Sequence, residues 1–381
     1  MKLAFLTTDN RYRNPKAAAP YFGAAPEALL QGFSTVPDLE VHVISCIREP
    51  LACPDKLEKN IFYHGLHVPK LGWMRTAYQG CIRAARKKIH EIQPDIVHGQ
   101  GTELDSALSA VFSGFPNVVT IHGNMAELAR LFRARVGSFG WLAARFEDFA
   151  LKRTAGVFCN SAYTQSLVQS RARKTWRLAN PIREEFFSTP VPANQSAKCV
   201  LVNIGVVCER KRQLELLELA RKIHESGLKF ELQFIGQANP ENAYAAKFPD
   251  EIKKVRSAGY ARYLGCKSTS DLIHCFDEAS ALIHFPSEEA FGLVVAEGIS
   301  RNLKFFGAQV GGIIDIADGI PATELFALED WEGLRTAISR WIAAGYPKTR
   351  GASTLMEQRY SPEPIALRHM EIYCEVLNNF S

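Results

Sequence analysis

Long hydrophobic runs are missing from this chain of 381 residues. No apolar stretch approaches the ~18 residues of a membrane-spanning helix, so no helical span is expected. The amino-terminal MKLAFLTTDN carries only a short apolar segment and reads as a first β-strand rather than a secretory leader. Paired cysteine motifs are missing as well. The nine cysteines at 46, 53, 81, 159, 199, 208, 266, 275 and 374 include no C-x-x-C pair. An odd, unpatterned set argues for reduced thiols and a cytoplasmic setting, against a disulfide framework or a zinc site. No D-x-D pair follows a strand-like segment, so no motif calls for a metal ion or other cofactor. Internal repeats, low-complexity tracts and a strong charge excess are also absent. The net charge of +5 suits an anionic small molecule or membrane surface as well as a nucleic acid, and does not choose among them.

What is present is a globular composition, 47% hydrophobic and 22% charged, in a chain long enough for two domains. Short strand-like runs alternate with helical periodicity: LAFLTT (3–8), EVHVIS (40–45), DIVHGQ (95–100), NVVTIH (117–122) and GVFCNS (156–161) in the first half. KCVLVNIG (198–205), FELQFIG (230–236), YARYLG (260–265), SALIHFP (280–286) and KFFGA (304–308) follow in the second, with RKRQLELLELARKIHESG (210–227) as a helix. Such alternation predicts α/β architecture: two Rossmann-like, doubly wound parallel-sheet domains facing a cleft. The Pro-, Asn- and Ser-bearing stretch LANPIREEFFSTPVPANQSAK (178–198) separates the two series. The expected organisation is an amino-terminal domain over 1–180, a second over 181–361, and a last helix over 362–381 returning to the first.

The segment PSEEAFGLVVAEG (286–298) places a Phe-Gly step between a buried-strand pattern and an apolar helical one. Phe291 precedes the turn, and the backbone N–H groups of Gly292, Leu293 and Val294 open a helix whose dipole favours an anion. Carboxylates at Glu289 and Glu297 would repel a bare phosphate, but both can accept hydrogen bonds from hydroxyls. A ligand with hydroxyls at either end and phosphate between them is a nucleotide sugar. The plainer alternative, a solvated turn and a helix-surface charge, fits an isolated E-x7-E but not the matching strand, turn and helix around it.

At these residues the chain resembles the E-x7-E retaining glycosyltransferases of GT-B architecture, glycosyltransferase family 4, also described as glycosyl transferases group 1. The resemblance implies that Glu289 lies by the donor sugar and that Glu297 binds the ribose. In VNIGVVCERKRQLELLELA (202–220), Gly205 ends a strand and Arg210-Lys211 stand at a helix start, where two cations oppose the dipole unless an anion lies between them. The resemblance assigns that pair to the leaving diphosphate; Arg212 is the alternative second charge. Gly311-Gly312 in AQVGGIIDIADG resembles the family's glycine-pair loop beside the donor sugar, with a structural turn as the competing reading.

In the first half, His122 of VVTIHGN is matched to a family histidine near the sugar, and His98 of DIVHGQG is an acceptor-side candidate. Gly23 in PYFGAAPEALLQGF stands where the family has a glycine-rich phosphate loop, although two alanines follow it. The basic, aromatic stretch 130–153 reads either as a surface helix or as a peripheral contact with an anionic membrane. The resemblance therefore implies sugar transfer, with retention of anomeric configuration, from a UDP- or GDP-linked donor to a hydroxyl acceptor. Polysaccharide, lipid-linked and secondary-metabolite acceptors all stay open, and the expected setting is the cytoplasm or the inner membrane face. No nucleic-acid partner is expected. A nucleotide-sugar epimerase and a catalytically silent partner subunit share the architecture and remain as alternatives.

Overall fold

Runs of Val, Ile, Leu and Phe buried on both faces set the strands of this protein, as parallel sheets covered by helices require. The structure is a computed structural model and describes residues 1–13, 19–191 and 198–379. The end of the separating stretch, 192–197, and the end of the last helical segment at 380 lie outside the described residues. The first sheet contains β1 (Lys2–Leu6), β2 (Glu40–Ile47), β3 (Lys56–Glu58), β4 (Ile61–His67), β5 (Ile96–Gln100), β6 (Asn117–Ile121), β7 (Gly156–Cys159) and β8 (Thr175–Arg177). The second contains β9 (Val200–Ile204), β10 (Glu231–Ile235), β11 (Ala261–Tyr263), β12 (Ala281–His284), β13 (Lys304–Ala308) and β14 (Thr323–Phe326).

The strand orders are β3-β4-β2-β1-β5-β6-β7-β8 and β11-β10-β9-β12-β13-β14. In the first sheet Leu3 pairs with Val41 on one side and Ile96 on the other. In the second, Leu201 pairs with Leu232 and with Ala281. The winding direction thus reverses between β1 and β5 and again between β9 and β12. Beyond the carboxyl ends of such reversals, neighbouring loops part and leave room for a ligand.

The expectation of parallel sheets needs one correction: the short edge strand β3 runs antiparallel to β4. A second correction concerns 210–227. Residues 209–211 form a 3-10 turn, Arg212 adopts a left-handed φ of 57°, and the α-helix begins only at Gln213, running to Glu225. The basic pair therefore belongs to a turn ahead of the helix.

The chain forms two compact units, residues 1–183 with 360–381, and residues 184–359. In the first, Phe5, Val41, Ile96, Val118 and Phe158 pack with Ile365, Ile372 and Tyr373 of the last helix, Pro362–Asn378. That helix lies on the helix Ala24–Thr35 so closely that a Cβ on Gly32 would stand 2.3 Å from the Pro362 carbonyl oxygen. In the second unit Leu201, Leu216, Phe234, Ile283, Phe306 and Trp341 form the core.

Candidate active site

The loops after β9 and β12, on either side of the winding reversal in the second unit, carry the charged groups. After β9 the chain passes Gly205, at φ 150°, and closes the 3-10 turn that presents Arg210 and Lys211. The Lys211 stem runs beside Gly205, 3.8 Å from where a Cβ would stand. After β12 the loop is tied to that turn: Ser287 N–H donates to the Arg210 carbonyl at 2.8 Å, and Arg210 Nη1 donates to the Glu288 carbonyl at 2.7 Å. Arg210 also lies 3.3 Å from a carboxylate oxygen of Glu288.

Lys211 makes an ion pair with Glu289, and His284 completes the group. His284 Nε2 lies 3.2 Å from Lys211 Nζ and 3.1 Å from Glu289 Oε2. All three are nearly closed to water, which raises the stakes of each charge. Burial opposes ionisation of Glu289, but Lys211, the His284 hydrogen bond and Arg210 outweigh it and hold the carboxyl well below the usual range. Burial, reinforced by the Lys211 charge, pushes His284 down to about 4, so its ring is neutral at pH 7. His284 was not singled out in the sequence. Its signal was its place as the last residue of a buried strand, two before the proline of the motif.

The helix that follows, Leu293–Ser300, is preceded by Gly292 at φ 98°, a left-handed conformation that favours glycine. Its first N–H groups, including those of Leu293 and Val294, have no acceptor within the helix and carry its positive end. Phe291 is buried beneath the turn, and Glu297 is only 4% exposed on the helix. Gly311, at φ 51°, and Gly312 come from the loop after β13; a Cβ on Gly312 would meet the Phe291 Cα at 2.6 Å. The glycine pair lets two loops touch behind the turn. Arg212 goes elsewhere, donating to both carboxylate oxygens of Glu329 and lying over the Trp331 ring at 4.7 Å.

The first unit places its residues at the β1/β5 reversal and beside it. His122 follows β6, and its Nε2 lies 2.9 Å from Gln100 Oε1. His98 requires a correction: it is the third residue of β5 rather than a strand end, and it has no exposed surface. Its Nδ1 meets the Tyr373 hydroxyl at 2.5 Å, and its Nε2 lies 2.7 Å from the Thr120 hydroxyl and 3.0 Å from Gln100 Nε2. The strand continues two residues past His98, and that extension carries Gln100, not His98, to the end that meets His122. Gly23 also departs from the expectation of a tight phosphate loop. It caps a helix at an ordinary φ of −65° with its Cβ position 3.5 Å from the nearest atom, so nothing there demands glycine.

Glu103, not anticipated from the sequence, sits between the loops after β5 and β6. A Cβ on Gly101 or Gly123 would lie 2.2 or 2.9 Å from its carboxylate oxygens, so both glycines make its seat. Loss of water pushes its carboxyl up to about 7, against hydrogen bonds from its own backbone and that of Gly123 and Thr102. A folded value above the unfolded one means that stability falls as pH rises from about 4.5 to 7. Glu103→Gln is therefore expected to raise stability by about 3 kcal/mol at pH 8 and to give no gain at pH 4. Urea unfolding at the two pH values measures it; equal effects at both would show that the carboxyl titrates normally.

Comparison with known proteins bears on the family and the fold. A sequence profile of Glycosyltransferase Family 4 matches residues 37–184, and one of Glycosyl transferases group 1 matches residues 186–350. Among solved structures, sucrose-phosphate synthase from Thermosynechococcus elongatus is 15% identical, with a TM-score of 0.78 and 100% of both chains covered. Anabaena HepE in complex with UDP-glucose is 16% identical, with a TM-score of 0.73, covering 98% of this chain and 100% of its own. A glycosyltransferase from Rickettsia africae is 14% identical, with a TM-score of 0.70 and 99% of both chains covered. At such identities the likeness speaks for the fold alone. A search of curated protein sequences gave no match. With two parallel α/β units and both halves matched by glycosyltransferase profiles, the chain belongs to the family 4 glycosyltransferases of GT-B fold.

Proposed function

We propose that this chain transfers a sugar from a nucleotide-diphosphate sugar to a hydroxyl acceptor with retention of anomeric configuration. The observation that carries the reading is the meeting of Arg210, Lys211 and the helix start at Gly292 around one turn, with Glu289 and Glu297 on either side of that glycine. An incoming diphosphate brings a further anion to two cations already held by Glu288 and Glu289 and to the helix N-terminus beside them, and Lys211 is then shared between phosphate and Glu289. Glu289 takes hydroxyls of the sugar and Glu297 those of the ribose. The chemistry that follows is front-face attack, in which cleavage of the glycosidic bond runs ahead of bond formation. The departing diphosphate takes the acceptor proton, and the chain contributes position and charge. A UDP-linked donor is favoured over a GDP-linked one because HepE, of the same fold, is described in complex with UDP-glucose. The acceptor hydroxyl belongs to a polysaccharide or a lipid-linked glycan.

Thermal unfolding with UDP and with GDP tests the donor. At 100 times its dissociation constant the preferred nucleotide stabilises the chain by about 2.7 kcal/mol. No shift with either would remove the proposal, and the anomeric configuration of the product, read by NMR, decides retention. Glu297→Ala is expected to weaken UDP binding by about tenfold to a hundredfold, as loss of hydrogen bonds to a charged group does, while pyrophosphate binding stays unchanged. Equal loss for both ligands would show that Glu297 does not contact ribose.

A further inference from the structure

The stretch 130–153 is not one amphipathic helix. Two helices, Met125–Leu131 and Phe139–Leu151, are separated by a turn, and the second is packed inward through Ala143, Glu147, Ala150 and Leu151. Glu147 is buried, accepting the Thr102 hydroxyl and the Met125 and Ala126 N–H groups and pairing with Arg171. What projects into water is the turn itself. Leu131 is 43% exposed, Phe132 53%, Val136 82% and Phe139 52%, all within nine residues. Elsewhere among the described residues, exposed large apolar side chains such as Leu71 and Leu367 stand singly along the chain.

Charge is arranged around this turn with one sign. Arg133 and Arg135 are exposed and make no ion pair among the described residues, and Arg130 is held by Glu127. Between Glu127 and Glu147 the sequence contains four arginines and no carboxylate. A turn exposed only to water would lose nothing by carrying acids, and gains nothing by showing Phe132 and Val136. A two-fold contact between copies through this turn would set arginine against arginine. A surface that offers both an apolar layer and a negative boundary is the interface of an anionic lipid bilayer.

We infer that the turn 131–139 inserts its apolar side chains into the interface of an anionic membrane while Arg133 and Arg135 engage lipid phosphates. This attachment is peripheral: among the described residues no helix is long and apolar enough to cross a membrane. It goes beyond the sugar-transfer reading and does not depend on it, because none of these residues belongs to the donor site.

Sedimentation of the full chain with lipid vesicles tests the inference. Binding is expected to vesicles of phosphatidylcholine containing phosphatidylglycerol, to weaken with salt, and to be slight with phosphatidylcholine alone. Arg133→Ala combined with Arg135→Ala should weaken binding about 30-fold at low salt. Phe132→Ser combined with Val136→Ser should weaken it while leaving its salt dependence in place. Both variants should keep the wild-type thermal midpoint and its shift with UDP, since these side chains already face water. No binding to the anionic vesicles would overturn the inference, and so would undiminished binding by both variants. A lower protein mass for the variants than for wild type in lipid-free sedimentation equilibrium would do the same, assigning the turn to contact between copies. Loss of the UDP response in the wild-type chain would count against the donor reading alone.

Discussion

Replacing Lys211 with alanine is expected to lower turnover by about 10²- to 10³-fold, the loss found when one preorganised charge-stabilising donor is removed from an active site. The expectation rests on placement. Lys211 reaches the site along Gly205, where no side chain interferes, and is fixed between His284 and Glu289 before any ligand arrives. That fixing spares the reorganisation which a flexible lysine would undergo as negative charge grows on the leaving group. Lys211→Arg would not rescue full activity, because a planar guanidinium cannot occupy the seat of a compact ammonium between an imidazole and a carboxylate. The same substitution to alanine leaves Glu289 without its main counter-charge, so the variant's stability must be measured beside its activity. Lys211→Met combined with Glu289→Gln removes both charges and should recover the stability without recovering turnover. Wild-type turnover in the folded Lys211→Ala variant would remove the diphosphate role of this residue.

The second large effect is on folding. Arg301 has no exposed side-chain surface. Its guanidinium donates to both carboxylate oxygens of Asp277 and to the carbonyls of Phe186, Thr189 and Pro190. One side chain thereby pins the segment that opens the second unit onto its helices. Arg301→Ala would leave a half-buried carboxylate and three carbonyls without a donor, and is expected to destabilise the chain by about 3–5 kcal/mol. Chemical denaturation measures the loss, and a change under 1 kcal/mol would mean that water replaces the guanidinium. Arg301→Lys should recover only part of it, since an ammonium cannot span the same fan of acceptors.

Much of the fold could be read from the sequence because parallel strands buried on both faces announce themselves as apolar runs. The ten runs named from pattern all became strands. Those missed are three edge strands, β3, β8 and β14, and β4, the neighbour of one. There one face meets water, and residues such as His64, Gly65, Arg177 and Glu324 interrupt the apolar signal. The motif at 286–298 was legible because glycine, carboxylates and an apolar helix start fall within a short span of sequence. His284 was not, since a histidine ending a buried strand looks the same whether it meets two charged side chains or merely fills space. His98 illustrates the opposite error: its partners, Tyr373 and Thr120, lie 275 and 22 residues away, and no local pattern reveals them. Glu103 stayed hidden for a similar reason, because the glycines that admit its carboxylate belong to two different loops.

The path of the chain, which leaves the first unit after Arg183 and re-enters it at Tyr360, has a consequence for synthesis. A ribosome releases residues 1–183 early, yet Phe33 and Phe158 lack their covering rings until His369 and Tyr373 emerge from the exit tunnel. The intervening unit has all its own strands by then and can mature first. The half of the molecule translated first is thus finished last. In the interval its uncovered aromatic face is the part of the nascent chain most in need of a chaperone.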